Sequence, residues 1–159
     1  MRVGTGYDIH RFRADGALRL GGIDIEDAPA LDGHSDGDAL IHAVIDALLG
    51  AAGEGDIGQH FPPGDPATRG IDSRELLTRV VRLIVARGYR VHNVDATVIA
   101  ERPRLAPHIA PMRESIARCL GIASSCVNVK ATTHERFGSL GSGEALAALA
   151  VALIEDADA

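Results

Sequence analysis

The sequence predicts a single layered domain of the α/β or α+β class. Three observations lead there. Segments with strand-like alternation interleave along the chain with segments of helical period. At 159 residues and 46% hydrophobic content, the chain can bury one sizeable core. No internal repeat, low-complexity tract or interdomain linker divides it. Aromatics are only 3% and Trp is absent, so Ala, Val, Leu and Ile must pack that core.

Residues 2–10 read as a first strand, with Val3, Tyr7 and Ile9 apolar and Asp8 and His10 together on one face. Residues 18–25, broken by Gly21-Gly22, read as a short hairpin or edge excursion, and 26–33 as a loop. Ser35 followed three residues later by Asp38 has the form of a reciprocal helix cap ahead of the apolar run Leu40, Ile41, Val44, Ile45, Leu48 and Leu49. That helix is expected to close between residues 50 and 53. Asp38, His42 and Asp46 recur along it every fourth residue and so share a face. Acids and a histidine on the inner stripe of an apolar helix are costly unless something pairs with them.

Residues 61–66 are Pro- and Gly-rich and are expected to be irregular. Asp72-Ser73-Arg74-Glu75 opens a second helix running to about residue 87, closed by Gly88. Residues 90–100 alternate as a long strand. Pro103, Pro107 and Pro111 punctuate a loop before a helix over 112–120, and 127–132 form a short strand. Residues 134–143 read as a glycine-punctuated loop. The final stretch, 145–154, is Ala- and Leu-rich and by composition reads as a helix.

The net charge of −6 argues against nonspecific binding to nucleic acid or an anionic membrane, although a local cationic pocket for phosphate is compatible with it. The first residues lack the apolar core of a signal peptide, and the longest apolar run is too short to span a bilayer. Two cysteines, Cys119 and Cys126, in no metal-binding spacing fit a reduced compartment, so the expectation is a cytoplasmic protein.

Asp8, His10 and His42 are the sharpest chemical constellation. Two imidazoles and one carboxylate suit a catalytic zinc or similar divalent ion, with a fourth position left open. An acid–histidine hydrogen bond inside a core fits the same residues. Asp46, one turn beyond His42, either orients a ligating imidazole or forms an ordinary salt bridge. His34 and Ser35 sit where a helix N-terminus would offer free N–H groups to an anion. Asp56 and Asp65 flank the Gly/Pro-rich stretch, as polyol-binding or as turn-forming acids. After the last short strand, Thr132 and Thr133 are able to contact phosphate or a base edge. Glu135 is able to hold a hard cation. The Walker A, GxSxG and GxGxxG motifs are missing.

Six collinear segments carry a resemblance. They are Gly6-Tyr7-Asp8-Ile9-His10, His34-Ser35-Asp36-Gly37-Asp38 with His42, Asp46 and Gly50, and Gly55-Asp56-Ile57-Gly58. Asp72-Ser73-Arg74-Glu75-Leu76-Leu77, Glu101-Arg102-Pro103-Arg104-Leu105, and Val129-Lys130-Ala131-Thr132-Thr133 with Glu135 follow. Together they span nearly the whole chain, which resembles the 2-C-methyl-D-erythritol 2,4-cyclodiphosphate synthase family of the non-mevalonate isoprenoid route. The resemblance implies an α+β fold with a mixed sheet carrying helices on one face, and a homotrimer with active sites between subunits. It also implies that the final segment is a strand, against its composition.

The implied reaction is cyclisation of a CDP-linked methylerythritol 2-phosphate with release of CMP. By resemblance, Asp8, His10 and His42 hold Zn²⁺, and Glu135 helps place a Mg²⁺ or Mn²⁺ on the diphosphate. His34, Thr133 and Asp56 are implied to be catalytic. Ser35 would contact phosphate, and Asp56, Ile57, Gly58, Phe61 and Asp65 would line the methylerythritol pocket. Ala100, Arg104, Leu105, Ala106, Ala131, Thr132 and Thr133 match the cytidine and α-phosphate pocket.

Some positions depart from the family pattern. Pro63 replaces a common acid, leaving Asp56 to carry that contact alone. Arg104 replaces the commoner lysine, keeping charge but changing geometry. Ser139 and Ser142 replace an aromatic and an arginine, which predicts weak or no isoprenoid diphosphate binding on the trimer axis. A metal-dependent phosphohydrolase and a non-catalytic nucleotide sensor are the competing readings.

Overall fold

The computed structural model describes residues 1–158. Five strands form one mixed sheet. β1 (Arg2–Leu20), β2 (Ile23–Leu31), β3 (Tyr89–Ile99), β4 (Val127–Thr132) and β5 (Ala145–Asp156) lie in the order β2-β1-β5-β3-β4. Only β3 and β4 run parallel, and α4 (Ile109–Leu120) lies between them in the chain. The other helices are α1 (Ala39–Ala52), the short α2 (Ile57–His60), α3 (Ser73–Ala86) and the single turn α5 (Gly138–Gly141). The mixed sheet and α+β class follow the expectation.

α1 is the hub. Twelve of its residues are buried, because it lies on β1 and β5 and is covered by α3. Its approach to β1 is closer than any side chain there would permit. A β-carbon on Gly4 would sit 2.1 Å from the Ala47 carbonyl oxygen, and one on Gly6 only 2.0 Å from that of Ala43. The two glycines alternate with Thr5 and so face the helix together. This contact brings His42 on α1 over Asp8 and His10 on β1.

The opposite face of the sheet carries Val3, Tyr7, Ile9, Leu149 and Val151, all exposed. The helices thus cover one face, and the other shows a row of apolar side chains with nothing over it within the described chain.

The final segment is strand β5, paired on both sides by β1 and β3. Its composition favours a helix, but the two flanking strands satisfy its backbone. Burial of Leu146, Ala148, Ala150, Ala152 and Ile154 on the face toward α1 outweighs local propensity. The hairpin at Gly21-Gly22 is present, but its arms are much longer than expected. β1 continues to Leu20, and the expected loop after residue 25 is strand to Leu31. Pro111, expected before the third helix, lies within its first turn, where its missing N–H costs nothing.

The start of α1 also differs from the expected cap. Asp38, not Ser35, is the N-cap: its carboxylate accepts from Ile41 N–H at 3.0 Å. The same carboxylate accepts from the hairpin-turn N–H groups of Gly21 at 2.9 Å and Gly22 at 2.6 Å. Asp38 therefore lies outside the helix and ties it to the hairpin, rather than sharing a face with His42 and Asp46. Burial pushes the Asp38 carboxyl upward, and these three backbone donors oppose that.

Candidate active site

Three donor atoms converge between β1 and α1. Asp8 Oδ2 lies 2.8 Å from His10 Nε2 and 3.0 Å from His42 Nδ1, and the two imidazole nitrogens are 3.4 Å apart. Among the described residues this is the one cluster of such side chains able to hold a metal ion. A tetrahedral ion with ligands at about 2.0 Å sets its donors about 3.3 Å apart, close to this arrangement.

The far nitrogens are committed as well. His10 Nδ1–H donates to the Asp32 carbonyl, so the neutral ring, as a metal ligand, would present its Nε2 lone pair to the cluster. His42 Nε2 contacts the Ser73 hydroxyl at 2.9 Å and the Ser35 hydroxyl at 3.0 Å. The residues present fit a divalent cation.

Burial pushes the Asp8 carboxyl up, yet the hydrogen bonds and charges of His10 and His42 outweigh it and hold it far below the usual carboxylate range. His10 shows the complement. Burial pushes its imidazole down, but Asp8 and the Asp32 carbonyl raise it overall.

A cavity of about 230 Å³ opens over this cluster, and His34, Ser35, Ile57, Gly58 and Phe61 help to line it. His34 Nε2 lies 3.1 Å from the Asp65 carbonyl oxygen. His34 and Ser35 are not at a helix N-terminus. They precede the cap by at least three residues, and the Asp38 carboxylate already takes the Ile41 N–H of α1. Asp46 does not orient an imidazole either, nor does it form a salt bridge. Its carboxylate accepts from Ile57 N–H at 2.8 Å, which anchors the next segment of the cavity wall to α1. Burial raises its pKa.

Asp56 and Asp65 are not among the residues lining this cavity. Their carboxylates serve as caps: Asp56 accepts from Gln59 N–H at 3.0 Å and from its side-chain amide at 2.8 Å, and Asp65 accepts from Ala67 N–H at 2.9 Å. The turn-forming role is thus present for both.

A second pocket, about 860 Å³, is lined by Ala100, Arg104, Leu105, Ala106, Ala131, Thr132 and Thr133. Glu101, Arg102 and Pro103 also line it, as do Asp27, Ala28 and Pro29 of β2, which sequence reasoning missed because it read that segment as a loop. Thr133 donates through its hydroxyl to Glu135 at 3.0 Å. Glu135 and Arg136 adopt left-handed backbone angles, φ 50° and 61°. The Glu101 carboxylate accepts from His134 and Arg136 N–H, both at 3.0 Å, and so holds this turn. Glu101 itself was quoted only as part of a motif.

The two cavities have no lining residue in common. Asp8, Ala148, Val98 and Ala131 are successive partners across β1, β5, β3 and β4. Asp8 of the metal cluster and Ala131 of the second pocket are therefore three strand spacings apart, about 14 Å.

This fold, with an acid–imidazole cluster at one strand and a Thr/Arg-lined pocket at another, defines a recognisable class. The chain belongs to the YgbB family, which matches residues 1–155. A Thioalkalivibrio sulfidiphilus protein named 2-C-methyl-D-erythritol 2,4-cyclodiphosphate synthase is 61% identical over 155 residues, 98% of this chain and 97% of that one. A Geotalea uraniireducens protein of the same name is 54% identical, covering 98% and 99%. Among solved structures, the bifunctional IspDF of Campylobacter jejuni superposes with a TM-score of 0.94 at 36% identity, over 99% of this chain and 43% of that one. The Plasmodium falciparum IspF–CDP complex superposes at 0.85 and 35% identity, over 98% and 96%.

Proposed function

We propose that this chain converts 4-diphosphocytidyl-2-C-methyl-D-erythritol 2-phosphate to 2-C-methyl-D-erythritol 2,4-cyclodiphosphate and CMP in the non-mevalonate isoprenoid route. The reaction class is that of a cyclising, CMP-releasing phosphorus–oxygen lyase. The observation that carries the reading is the Asp8–His10–His42 cluster, with its inward-facing donors, in a chain 61% identical to a protein named for that synthase.

An oxygen of the substrate's 2-phosphate bonds to the β-phosphorus, and the bond from that phosphorus to the bridging oxygen breaks. CMP leaves with the bonding electrons. Both reacting groups are anionic, so the protein must chiefly align them and offset their charge. The attacking phosphate is already ionised and needs no general base.

His34, Thr133 and Asp56 act at the reacting groups, with Ser35 donating to phosphate. Ile57, Gly58 and Phe61, which line the cavity, hold the methylerythritol portion, and Asp56 and Asp65, whose carboxylates cap the neighbouring turns, are assigned to it by resemblance. Ala100, Arg104, Leu105, Ala106, Ala131, Thr132 and Thr133 take the cytidine and α-phosphate. Asp8, His10 and His42 suit zinc, an ion that supplies Lewis-acid polarisation of a phosphoryl oxygen when bound. Glu135, exposed and outside any three-residue cluster, is assigned to Mg²⁺ or Mn²⁺ shared with the diphosphate.

The chain is assigned to a homotrimer with each active site between subunits. Two features support this: Asp8 of the metal cluster and Ala131 of the nucleotide pocket are about 14 Å apart within one chain, and the apolar sheet face lacks a cover. A cytoplasmic location is part of the same proposal. It rests on the two free cysteines, while no helix among the described residues is long and apolar enough to cross a membrane.

The test is turnover of the CDP-linked substrate with Zn²⁺ and Mg²⁺, with products resolved by ³¹P NMR, wild type beside His42→Ala. Coupled signals of a cyclic diphosphate together with CMP, absent in the variant, are expected. An acyclic bisphosphate would replace this reading with hydrolysis. Sedimentation at three chain masses is the expected assembly result.

A further inference from the structure

We infer that Ser73 and Asp36 are positioning residues that set the tautomer of His42 and so make it a ligand through Nδ1. The inference rests on the metal site proposed above and extends it to two side chains outside the ligand set.

Ser73, the first residue of α3, is fully buried. Its hydroxyl donates to Asp36 Oδ1 and lies 2.9 Å from His42 Nε2. A hydroxyl has a single proton. Asp36 leaves no choice about where it goes, because a carboxylate only accepts, and this one also takes two backbone N–H groups. Asp38 N–H reaches Oδ1 at 3.2 Å and Ser73 N–H reaches Oδ2 at 2.9 Å, with Arg19 Nε 3.8 Å from Oδ2.

With its proton given to Asp36, Ser73 Oγ can only accept from His42. Nε2 must then carry a proton, and in the neutral imidazole the Nδ1 lone pair faces Asp8 and His10. The chain Asp36–Ser73–His42 does for this ligand what the Asp32 carbonyl does for His10. It also has a consequence at Ser35. The Ser35 hydroxyl, 3.0 Å from the same Nε2, can share that N–H as an acceptor, so its own proton is free to point into the cavity.

Zn²⁺ affinity of the full-length protein, measured by chelator competition, tests this without reference to turnover. Ser73→Ala should weaken binding by about 10- to 100-fold. Asp36→Asn retains the serine and the shape of the carboxylate but puts an NH₂ on one side of it. It should weaken binding comparably, because the amide either donates to Ser73 and reverses the relay or faces the Ser73 N–H. Wild-type affinity in a folded Asp36→Asn variant would overturn the inference.

A measurement on the unsubstituted protein guards against misfolded variants. In the Zn²⁺-loaded form with ¹⁵N-labelled histidine, the His42 ring should show a proton on Nε2 and the metal on Nδ1. The reverse assignment would overturn the inference while leaving the metal site intact. Failure of the wild type to take up any divalent ion would overturn both this and the proposed function.

Discussion

The cavity over His42 and the pocket beside Arg104 are built in contrasting ways. In the first, the donors face one another across 2.8 to 3.4 Å, and their outer nitrogens are held by Asp32, Ser73 and Ser35. His42 and Ser73 are buried, and the surrounding helix and strands make up the main core. In the second, Arg104, Ala131, Thr132 and Thr133 are all exposed, and a turn held by Glu101 forms one rim. The difference separates a site organised by folding from one whose lining is left largely exposed within a single chain. Preorganisation costs little where burial already fixes the side chains, whereas an exposed rim must be ordered at the moment of binding.

The strongest way to break the contrast is to separate α1 from β1. Gly6→Ala places a β-carbon 2.0 Å from the Ala43 carbonyl oxygen. Backbone must shift, so urea denaturation should show a loss of about 3 kcal/mol or more, with Zn²⁺ affinity falling in parallel. An unchanged midpoint would mean that the helix-to-strand contact is not what brings His42 to Asp8.

Glu101→Ala sharpens the contrast from the other side. It removes two bonds that hold the Thr133–Glu135 turn. CDP affinity should drop roughly tenfold, about 1.4 kcal/mol, and Zn²⁺ affinity should not change. Loss of both in calorimetric titrations would show that the two regions are coupled within one chain.

The smallest expected effect lies at Asp72, the N-cap of the helix that carries Ser73. Its hydrogen bond from Arg74, aided by Arg19 and opposed by burial, holds the carboxyl below its ordinary range. A lowered carboxyl pKa contributes stability above the unfolded value and loses it as pH falls through the folded one. The side chain is 35% exposed, so Asp72→Asn, which keeps a capping oxygen, should cost less than about 1 kcal/mol at neutral pH. The gap between the two proteins should close in acid. A gap that persists at low pH would assign the effect to packing rather than charge.

Local signals made much of this molecule legible in the sequence. The alternation of β1 placed Asp8 and His10 on one face, the helix bearing His42 was evident from its apolar run, and Asp72-Ser73-Arg74-Glu75 marked the start of α3. All three are short-range consequences of period and capping. Ile57 and Phe61 line the first cavity and Arg104 and Thr132 the second, whereas Asp56 and Asp65 line neither.

Tertiary structure decided the rest. Ser35 and Asp38 offer equally good capping chemistry, and Asp38 takes the role because its carboxylate also meets the Gly21-Gly22 turn, seventeen and sixteen residues away. Asp46 holds Ile57 rather than an imidazole, a contact that no helical spacing announces. The last strand carries a helix-forming composition and becomes β5 because β1 and β3 pair with it on both sides. The relay from Asp36 through Ser73 to His42 likewise joins a loop and two helices. Sequence alone determined which residues favour which local geometry. Long-range hydrogen bonds and burial chose among nearly equal local alternatives, because each of those choices depends on partners distant in the chain.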